Sequence, residues 1–318
     1  MVADLSILIV NWNGQAMLRR LLESILQTRK ALSLEIIVVD NASRDGSAEM
    51  ILREFPSVSL IRNAKNVGFA RGNNQAASLA TAPILLLLNN DTLVYPGALA
   101  TMMDYLTEHP DVVAVGPKLV NGDGRPLRSS RNLPTLAALL NTIQFLRWTG
   151  LFRNPYRRYR NTQCDMKRGG PVAQLDAASL AIRRDAFERC GGFDEGYEFG
   201  VEDVDLCARL SGQSALHYVP SAAIEHLGRI SSRANRTMVD RAYFCGWARY
   251  LRKHHSAAAA LFYKAAVTID LPVRITGLIL QWALLSVRHR AQRGEHTRQR
   301  LVSTTWFAFT ALPRFWLS

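Results

Sequence analysis

The sequence is poor in cysteine, and its cysteines lack the spacing of a metal site or a disulfide framework. It has four cysteines in 318 residues, and none of them forms a CxxC pair. A chain of this length can bury a core that needs no covalent staple. We therefore expect reduced cytosolic thiols, and a small secreted disulfide scaffold is excluded.

The sequence also has few basic residues near its start and no long uncharged run, so we expect no secretory signal peptide in it. Its first residues, MVADLSILIVNWNG, carry an acid where a secretory signal peptide carries Lys or Arg. Two uncharged stretches of 13 residues lie near the other end, between Arg274 and Arg288 and between Arg300 and Arg314. A helix of that length is roughly 20 Å long, short of a roughly 30 Å hydrocarbon core. We therefore predict that neither stretch spans a membrane and that each lies in a membrane interface or packs on the protein.

Acidic residues are scarce in two parts of a chain whose net charge is +13. Residues 233–318 hold 14 Lys and Arg against three acids, and residues 151–170 hold six against one. Such basic segments suit nucleic acid or an anionic membrane face. The aromatic residues of the tail sit within uncharged stretches instead of between basic residues, which favours the membrane and argues against nucleic acid.

Continuous apolar runs alternate with helical patterns over the first 115 residues. Strands are predicted at Leu5–Val10, Glu35–Val39, Val58–Ile61, Ile84–Leu88 and Val112–Val115, with helices between them. This alternation indicates an α/β fold with a mostly parallel sheet covered by helices on both faces.

The later part of the chain has weaker patterns. We predict a mobile basic loop over 150–170, a strand over Val172–Ile182, a helix over Val201–Leu210 and an edge strand over Ala215–Val219. Residues 1–236 are assigned to one α/β domain. Residues 237–318 are assigned to a basic, amphipathic helical region that binds an anionic membrane, covers the core or forms a homodimer interface.

Polar clusters follow the predicted strands and should meet at one edge, since ligands of such sheets bind outside the carboxyl ends of the strands. Asp91 follows a buried strand in Asn89-Asn90-Asp91, where a carboxylate can hold Mg²⁺ or Mn²⁺ together with phosphate oxygens. A simple strand-end turn is the alternative. Asp40 can accept hydrogen bonds from a nucleoside, or it can cap the next helix.

Three further groups of residues are candidates, each with an ordinary structural alternative. Gly68 and Arg71 lie at a predicted helix start that suits a diphosphate or is a plain capped turn. Glu202 and Asp203 lie in an acidic group that either contains a candidate base or is a solvated helix start whose acids the helix dipole favours. Glu202, Asp205 and Arg209 lie near one helix face, so a structural ion pair explains some of these acids. His226 is a metal ligand or a structural histidine.

The joint pattern is more specific than any of its parts. It consists of Asn11-Trp12-Asn13-Gly14, Val39–Ser47, Asn66–Asn74, Leu88–Asp91, Gly191–Glu195, Glu202–Leu206 and His226. From Ser6 to about Ser232, the chain with these motifs resembles family 2 glycosyltransferases of the GT-A fold. It is most similar to the rhamnosyltransferase-like branch, which acts on lipid-linked glycans.

The resemblance implies roles for individual residues. Asp40 would bind the nucleoside, and Asp91 would be the last residue of the DxD-type motif that holds Mg²⁺ or Mn²⁺, with His226 as a further metal contact. Asp203 would be the catalytic base, with Glu202 beside it. Nucleotide-sugar contacts are expected from the strand-end motifs, at Asn11, Asn13, Asp40, Asn66, Gly68, Arg71, Asn89 and Asn90. Asn89 stands where the metal motif has an acid, which lowers the charge of the site.

The implied activity is that of an inverting glycosyltransferase at the cytoplasmic face of the membrane in cell-envelope polysaccharide synthesis. Its donor would be a nucleotide-diphosphate sugar, with dTDP-rhamnose favoured by the branch and UDP and GDP sugars left open. The acceptor would be a glycan or a polyprenyl-diphosphate-linked oligosaccharide. A basic nucleic-acid-binding protein and a non-catalytic nucleotide-sugar sensor are the alternatives.

Overall fold

A computed structural model describes residues 3–28, 32–160, 164–227, 236–287 and 291–317. The strands are β1 (Leu5–Asn11), β2 (Leu34–Asp40), β3 (Ser59–Arg62), β4 (Ile84–Leu88), β5 (Thr92–Val94), β6 (Val112–Val120), β7 (Ser130–Arg131), β8 (Gly170–Val172), β9 (Gln174–Leu175), β10 (Ser179–Arg183) and β11 (Ala215–His226).

The helices begin between the strands and continue to the end of the described chain. They are α1 (Gln15–Thr28), α2 (Ser47–Glu54), α3 (Phe69–Leu79), α4 (Ala98–Glu108), α5 (Leu136–Leu140), α6 (Gln144–Thr149), α7 (Arg153–Arg160), α8 (Arg184–Arg189), α9 (Glu202–Ser211), α10 (Arg236–His254), α11 (Ala257–Val287), α12 (Ala291–Trp306) and α13 (Leu312–Leu317). A π-helical turn, Phe307–Ala311, precedes α13.

The chain divides into two compact units. The sheet unit comprises Met1–Leu133, Thr162–Gly196 and Glu202–Gly228, and the helical unit comprises Pro134–Asn161, Tyr197–Val201 and Arg229–Ser318. This division differs from a single boundary at residue 236, because α5, α6 and α7 group with the C-terminal helices.

The sheet unit is built on a nine-stranded sheet of order β3-β2-β1-β4-β10-β6-β11-β5, with β8 also pairing β11. Strands β1 to β4 are parallel to one another, whereas β10 and β5 run antiparallel to their neighbours. The predicted α/β fold with a mostly parallel sheet is confirmed. The carboxyl ends of β1, β2 and β4 therefore lie side by side at one edge.

Helices cover both faces of this sheet, because neighbouring residues along a strand point to opposite faces. Ile7 and Ile9 of β1 pack in one core with residues of α1, α2 and α4. Leu8 lies in a second core with residues of α3, α8 and α9. Burial on both faces explains why these strands are continuous apolar runs.

Two predicted strands differ from the structure. The single strand over Val172–Ile182 is wrong: β8, β9 and β10 replace it, with a break where the Asp176 carboxylate accepts a hydrogen bond from the Ala178 N–H at 3.0 Å. The predicted edge strand is also wrong, since β11 continues to His226 and has β6 and β5 on its two sides.

Two further predictions need correction, one for the basic loop and one for the first uncharged stretch. Residues 153–160 of the predicted loop form α7, while residues 161–163 lie outside the described residues. The first 13-residue stretch is part of the 31-residue helix α11, because the helix continues through Arg274. By length and composition alone, Ala257–Leu285 could cross a membrane. The second stretch runs through α12, the π-helical turn and α13.

Candidate active site

Asn11 connects the ends of three neighbouring strands. Its amide Nδ2 donates to Asp40 Oδ1 at 3.3 Å and to Ser43 Oγ at 3.2 Å. Its Oδ1 accepts from Asn90 Nδ2 at 2.7 Å. The predicted meeting of these strand-end motifs is therefore observed, with Asn11 between the candidate nucleoside motif and the candidate metal motif.

The loops after β1 and β2 hold the backbone in an unusual conformation. Among the described residues, Asn13 (φ 50°) and Ala42 (φ 60°) are the non-glycine residues with positive φ. Asn13 Oδ1 accepts from the Arg44 N–H at 2.8 Å, and the Asn13 N–H donates to Ser43 Oγ at 2.9 Å. Non-glycine residues held in the left-handed region often mark functional sites.

Asp91 and His226 meet at the end of the same edge. Strand β11 pairs His226 with Thr92, the residue after Asp91. As a result, His226 Nε2 lies 3.3 Å from Asp91 Oδ1, with both side chains mostly buried. Burial lowers the pKa of the His226 imidazole, but the hydrogen bond and charge of Asp91, with the charge of Asp176, outweigh burial and raise it above its ordinary value.

Asp176 is a further candidate residue of this site that no sequence motif indicates. Strand β10 pairs Ser179 with Leu88, and the Asn89 N–H donates to the Ala178 carbonyl at 3.0 Å. The turn that contains Asp176 therefore lies beside the Asn89-Asn90-Asp91 motif. The charge of Asp176 acts on both His226 and Asp203.

Asp203 faces Asp176 from the first turn of α9. Cys207, four residues later on the same helix face, places its Sγ 3.4 Å from the Leu175 nitrogen. Burial, and then the carboxylates of Asp176 and Glu202, raise the pKa of the Asp203 carboxyl well above its usual range, and Arg131 partly offsets them. A carboxyl group in this environment is a stronger base than an exposed one.

The rest of the acidic group separates into different roles. Asp205 is fully buried and forms an ion pair with Arg209 at 2.7 Å. Arg209 also donates to the carbonyls of Cys190 and Gly192, both at 2.6 Å. The predicted Asp205–Arg209 ion pair is therefore present and joins α9 to the Gly191–Glu195 turn. Glu202 is buried beside Asp203.

The loop before α3 contacts the end of β2, while two candidate residues of this region, Asn66 and Arg71, are exposed. Gly68 has φ 88°, and its carbonyl accepts from Asn41 Nδ2 at 3.2 Å, which holds the loop against the end of β2. Asn66 is exposed and accepts from the Gly68 N–H at 2.9 Å. Arg71 is also exposed, and its Nε lies 3.8 Å from a carboxylate oxygen of Glu195 in the Gly191–Glu195 turn.

Arg131 is a basic residue near these carboxylates that no sequence motif indicates. It lies on β7, which pairs Arg131 with Gln174 of β9, close to Asp176. Its buried Nε has no hydrogen-bond partner in the described part of the chain. No local spacing indicates either residue, because β7, β9 and α9 come from distant parts of the sequence. A lone Asp inside an apolar run was the available signal for Asp176.

A family model for glycosyl transferase family 2 matches residues 6–191. That range contains the linked motifs around Asn11, Asp40, Asn90 and Asp91. The chain belongs to glycosyl transferase family 2. This glycosyltransferase is also 30% identical over 237 residues to an N-acetylglucosaminyl-diphospho-decaprenol L-rhamnosyltransferase of Mycobacterium tuberculosis, which covers 70% of this chain and 75% of that one.

Solved structures show that the glycosyltransferase has the expected GT-A fold. A mannosyltransferase from Pyrobaculum calidifontis, in complex with GDP-Man and Mn²⁺, matches with a TM-score of 0.56 at 16% identity, over 98% of this chain and 88% of that one. TarS 1-349 of S. aureus in complex with UDP matches with a TM-score of 0.52 at 13% identity, over 84% and 70%. The protein is a glycosyltransferase that takes a sugar from a nucleotide-sugar donor.

Proposed function

We propose that this glycosyltransferase is an inverting, metal-assisted enzyme that moves a deoxyhexose to a polyprenyl-diphosphate-linked glycan in cell-envelope polysaccharide synthesis. The proposal is carried by one observation: Asp91 with His226, and Asp203 with Asp176, lie around the same end of β4. Asp91 and His226 would act on the leaving group, and Asp203 with Asp176 would act on the attacking hydroxyl.

Asp91 and His226 fit a divalent cation. Asp91 Oδ1 and His226 Nε2 lie 3.3 Å apart, close enough for both side chains to contact one ion. Among the described residues, no group of three or more His, Cys, Asp or Glu side chains is arranged for a metal. Asp91 and His226 would therefore hold Mg²⁺ or Mn²⁺ together with the donor diphosphate. The cation would neutralise the leaving diphosphate as a Lewis acid.

The amide network would hold the nucleoside. Both oxygens of Asp40 already accept hydrogen bonds, from Asn11 Nδ2 at 3.3 Å and from the Ser43 N–H at 3.0 Å. A carboxylate has further lone pairs that can accept from a base or a ribose. Because Asn11 also contacts Asn90, a change at the nucleoside end would displace the metal motif.

Asp203 is the proposed base. It would remove the proton from the acceptor hydroxyl while that oxygen bonds to the anomeric carbon and the bond to the diphosphate breaks. The diphosphate leaves with the bonding electrons, and the proton remains on Asp203. The raised pKa of Asp203 supports this role, because the carboxylate takes a proton more readily. Attack opposite to the leaving group inverts the anomeric configuration.

The Mycobacterium tuberculosis relative supports the choice of substrates. Its name specifies L-rhamnose transfer to N-acetylglucosaminyl-diphospho-decaprenol. We therefore propose dTDP-rhamnose as the donor and a polyprenyl-diphosphate-linked amino sugar as the acceptor.

A donor screen tests the proposed function. The purified chain is incubated with dTDP-rhamnose and with UDP and GDP sugars, with and without Mn²⁺, and nucleotide release and sugar transfer are both measured. The proposal predicts a clear preference for dTDP-rhamnose and a product of inverted anomeric configuration by NMR. Retention contradicts the mechanism, another preferred donor contradicts the substrate, and binding without turnover favours a sensor.

A further inference from the structure

Exposed apolar side chains are concentrated in the helical unit. Of the twenty large apolar side chains that are exposed among the described residues, fifteen belong to this unit. They include Phe309, which is 81% exposed, and Leu317, which is 87% exposed. A contiguous exposed apolar patch marks a contact with protein or membrane, whereas apolar side chains that are exposed singly are ordinary.

Helix α11 carries the most unusual part of this surface. One face of the helix is buried in the helical unit through Tyr263, Val267, Leu271 and Leu278. The six residues 279–284, Ile-Leu-Gln-Trp-Ala-Leu, are all exposed. Because 3.6 residues complete a turn, this segment of roughly 9 Å is apolar and exposed nearly all round. A helix that is apolar all round is typically buried, either in a protein core or in a membrane.

The charges on α11 lie away from this surface. Asp270 is buried, accepts from the Phe145 N–H at 3.0 Å and pairs with Arg274 at 3.2 Å. Lys264 is buried and donates to the Trp316 carbonyl at 3.2 Å. These charged side chains therefore pair with groups inside the helical unit, and the exposed part of the helix is apolar. This pattern fits a helix that lies in a membrane interface while its buried face packs on the protein.

Helices α6 and α7 add basic residues to the same unit. Helix α6 packs on α11, where Gln144 lies against Gly277, and it carries Trp148, which is 66% exposed. Helix α7 has the sequence RNPYRRYR, in which Arg153, Arg157 and Arg158 are exposed. Exposed Trp and Arg side chains are both typical of protein surfaces that meet lipid headgroups.

The net charge of the unit limits the kind of partner. The helical unit holds 20 Lys and Arg against four acids, a formal charge of +16, and the sheet unit has a formal charge of −3. A second copy of this surface would bring two strongly positive units together. An anionic bilayer offers opposite charge and an apolar interior at the same surface.

We propose that the helical unit is a membrane-docking unit, in which residues 279–284 insert into an anionic lipid surface while α7 contacts the headgroups. This inference does not rest on the proposed donor or acceptor. It extends the expected membrane attachment from the C-terminal residues to α6 and α7, and it names the inserting segment.

Vesicle binding of the full chain tests the proposal. Co-sedimentation is measured with phosphatidylcholine vesicles, with and without phosphatidylglycerol. One variant combines Ile279→Ser, Leu280→Ser and Leu284→Ser. The matched control combines Leu52→Ser, Leu79→Ser and Met166→Ser, which change exposed apolar residues of the sheet unit.

A third variant, which tests the contribution of α7, combines Arg153→Glu and Arg157→Glu. Circular dichroism and nucleotide binding verify that each variant is folded.

We expect the wild-type chain and the control to bind vesicles that contain phosphatidylglycerol. The α11 variant should lose about 10²-fold or more in partitioning. The α7 variant should bind more weakly than the wild type chiefly at low salt, where charges are screened least. Three outcomes overturn the proposal: no binding of the wild type to either vesicle, equal loss in the control, or unchanged vesicle binding in the α11 variant. If the α11 variant binds vesicles like the wild type, sedimentation velocity shows whether the wild type is a dimer and the variant a monomer, which would assign the surface to a second copy. If duplex DNA binds the chain and neither kind of vesicle does, the surface would be assigned to nucleic acid.

Discussion

At the residue scale, the protonation of Asp203 depends on side chains from three separate segments. Burial raises the pKa of its carboxyl group most, Asp176 and Glu202 raise it further, and Arg131 lowers it. The acidic group on α9 is therefore not uniform: Asp205 forms an ion pair with Arg209, whereas burial and neighbouring carboxylates raise the pKa of Asp203.

The first prediction concerns the identity of the base. Asp203→Asn should retain donor binding, because Asp203 does not belong to the Asn11 network, while transfer falls by about 10²–10⁴-fold. Glu202→Gln serves as the neighbouring control and should retain most activity. Single-turnover transfer and calorimetry with the nucleotide measure the two properties. If the Asp203→Asn enzyme is more active than the Glu202→Gln enzyme, the role of base passes to Glu202.

The second prediction concerns pH. Transfer requires the ionised form of Asp203, so the rate should fall as the pH drops through its raised pKa. Asp176→Asn removes a negative neighbour and should move this acid limb to lower pH. Arg131→Gln removes a positive neighbour and should move it to higher pH. Profiles of kcat/KM against pH measure both shifts, and two shifts in the same direction would rule out electrostatic control by this pair.

At the element scale, the approach of α3 to β1 depends on a glycine. A Cβ added at Gly72 would lie 2.9 Å from Val10 Cγ2 and 3.0 Å from Val10 Cγ1. The two methyl groups branch from Cβ and have little freedom to move. Helix α3 therefore lies close enough to the sheet for its first turn to reach the Asn41 side chain through Gly68.

The third prediction follows from this close contact. Gly72→Ala should destabilise the protein by about 1 kcal/mol, because an overpacking cost of about 1–3 kcal/mol exceeds the roughly 1 kcal/mol gained from helix propensity. In a Val10→Ala background the same change should become neutral or stabilising. Gly212→Ala is the control, since its Cβ would meet nothing closer than 3.5 Å. Urea unfolding measures these differences, and an unchanged sign in the Val10→Ala background would contradict the close contact.

At the scale of the whole molecule, two units share one chain but differ in composition. The sheet unit is mildly acidic and contains the candidate active site. The helical unit has a formal charge of +16 and most of the exposed apolar side chains. A nucleotide should therefore stabilise the sheet unit, and anionic lipid should bind the helical unit.

The fourth prediction uses ligand stabilisation. A nucleotide diphosphate with Mn²⁺, at about a hundredfold excess over Kd, should stabilise the folded protein by about 2.7 kcal/mol. The nucleotide alone should stabilise it less, because Asp91 and His226 would then lack the cation that joins them to the diphosphate. Asp91→Ala should lose the metal-dependent increment and keep the rest. Differential scanning calorimetry measures this, and an undiminished increment in the variant would remove the metal role.

Much of the site could be predicted from sequence because its parts are local. Asn11, Asp40 and Asp91 each follow a continuous apolar run, and the carboxyl ends of parallel strands share an edge. Asp176 and Arg131 could not be predicted in this way. They reach the site through β7, β9 and β10, and the pairing of such short strands depends on distant parts of the chain.

The sequence by itself determined the alternation of strands and helices, the glycosyltransferase motifs and the concentration of positive charge, because each depends on neighbouring residues and on period. Only the tertiary structure decided which carboxylates lie together, that β11 continues to bring His226 to Asp91, and that α11 is one helix with an exposed apolar end. The physical reason is that burial and charge proximity depend on contacts between segments far apart in the chain. Asp203 and Asp205 differ by two positions in sequence, yet one is paired with Arg209 and the other faces Asp176.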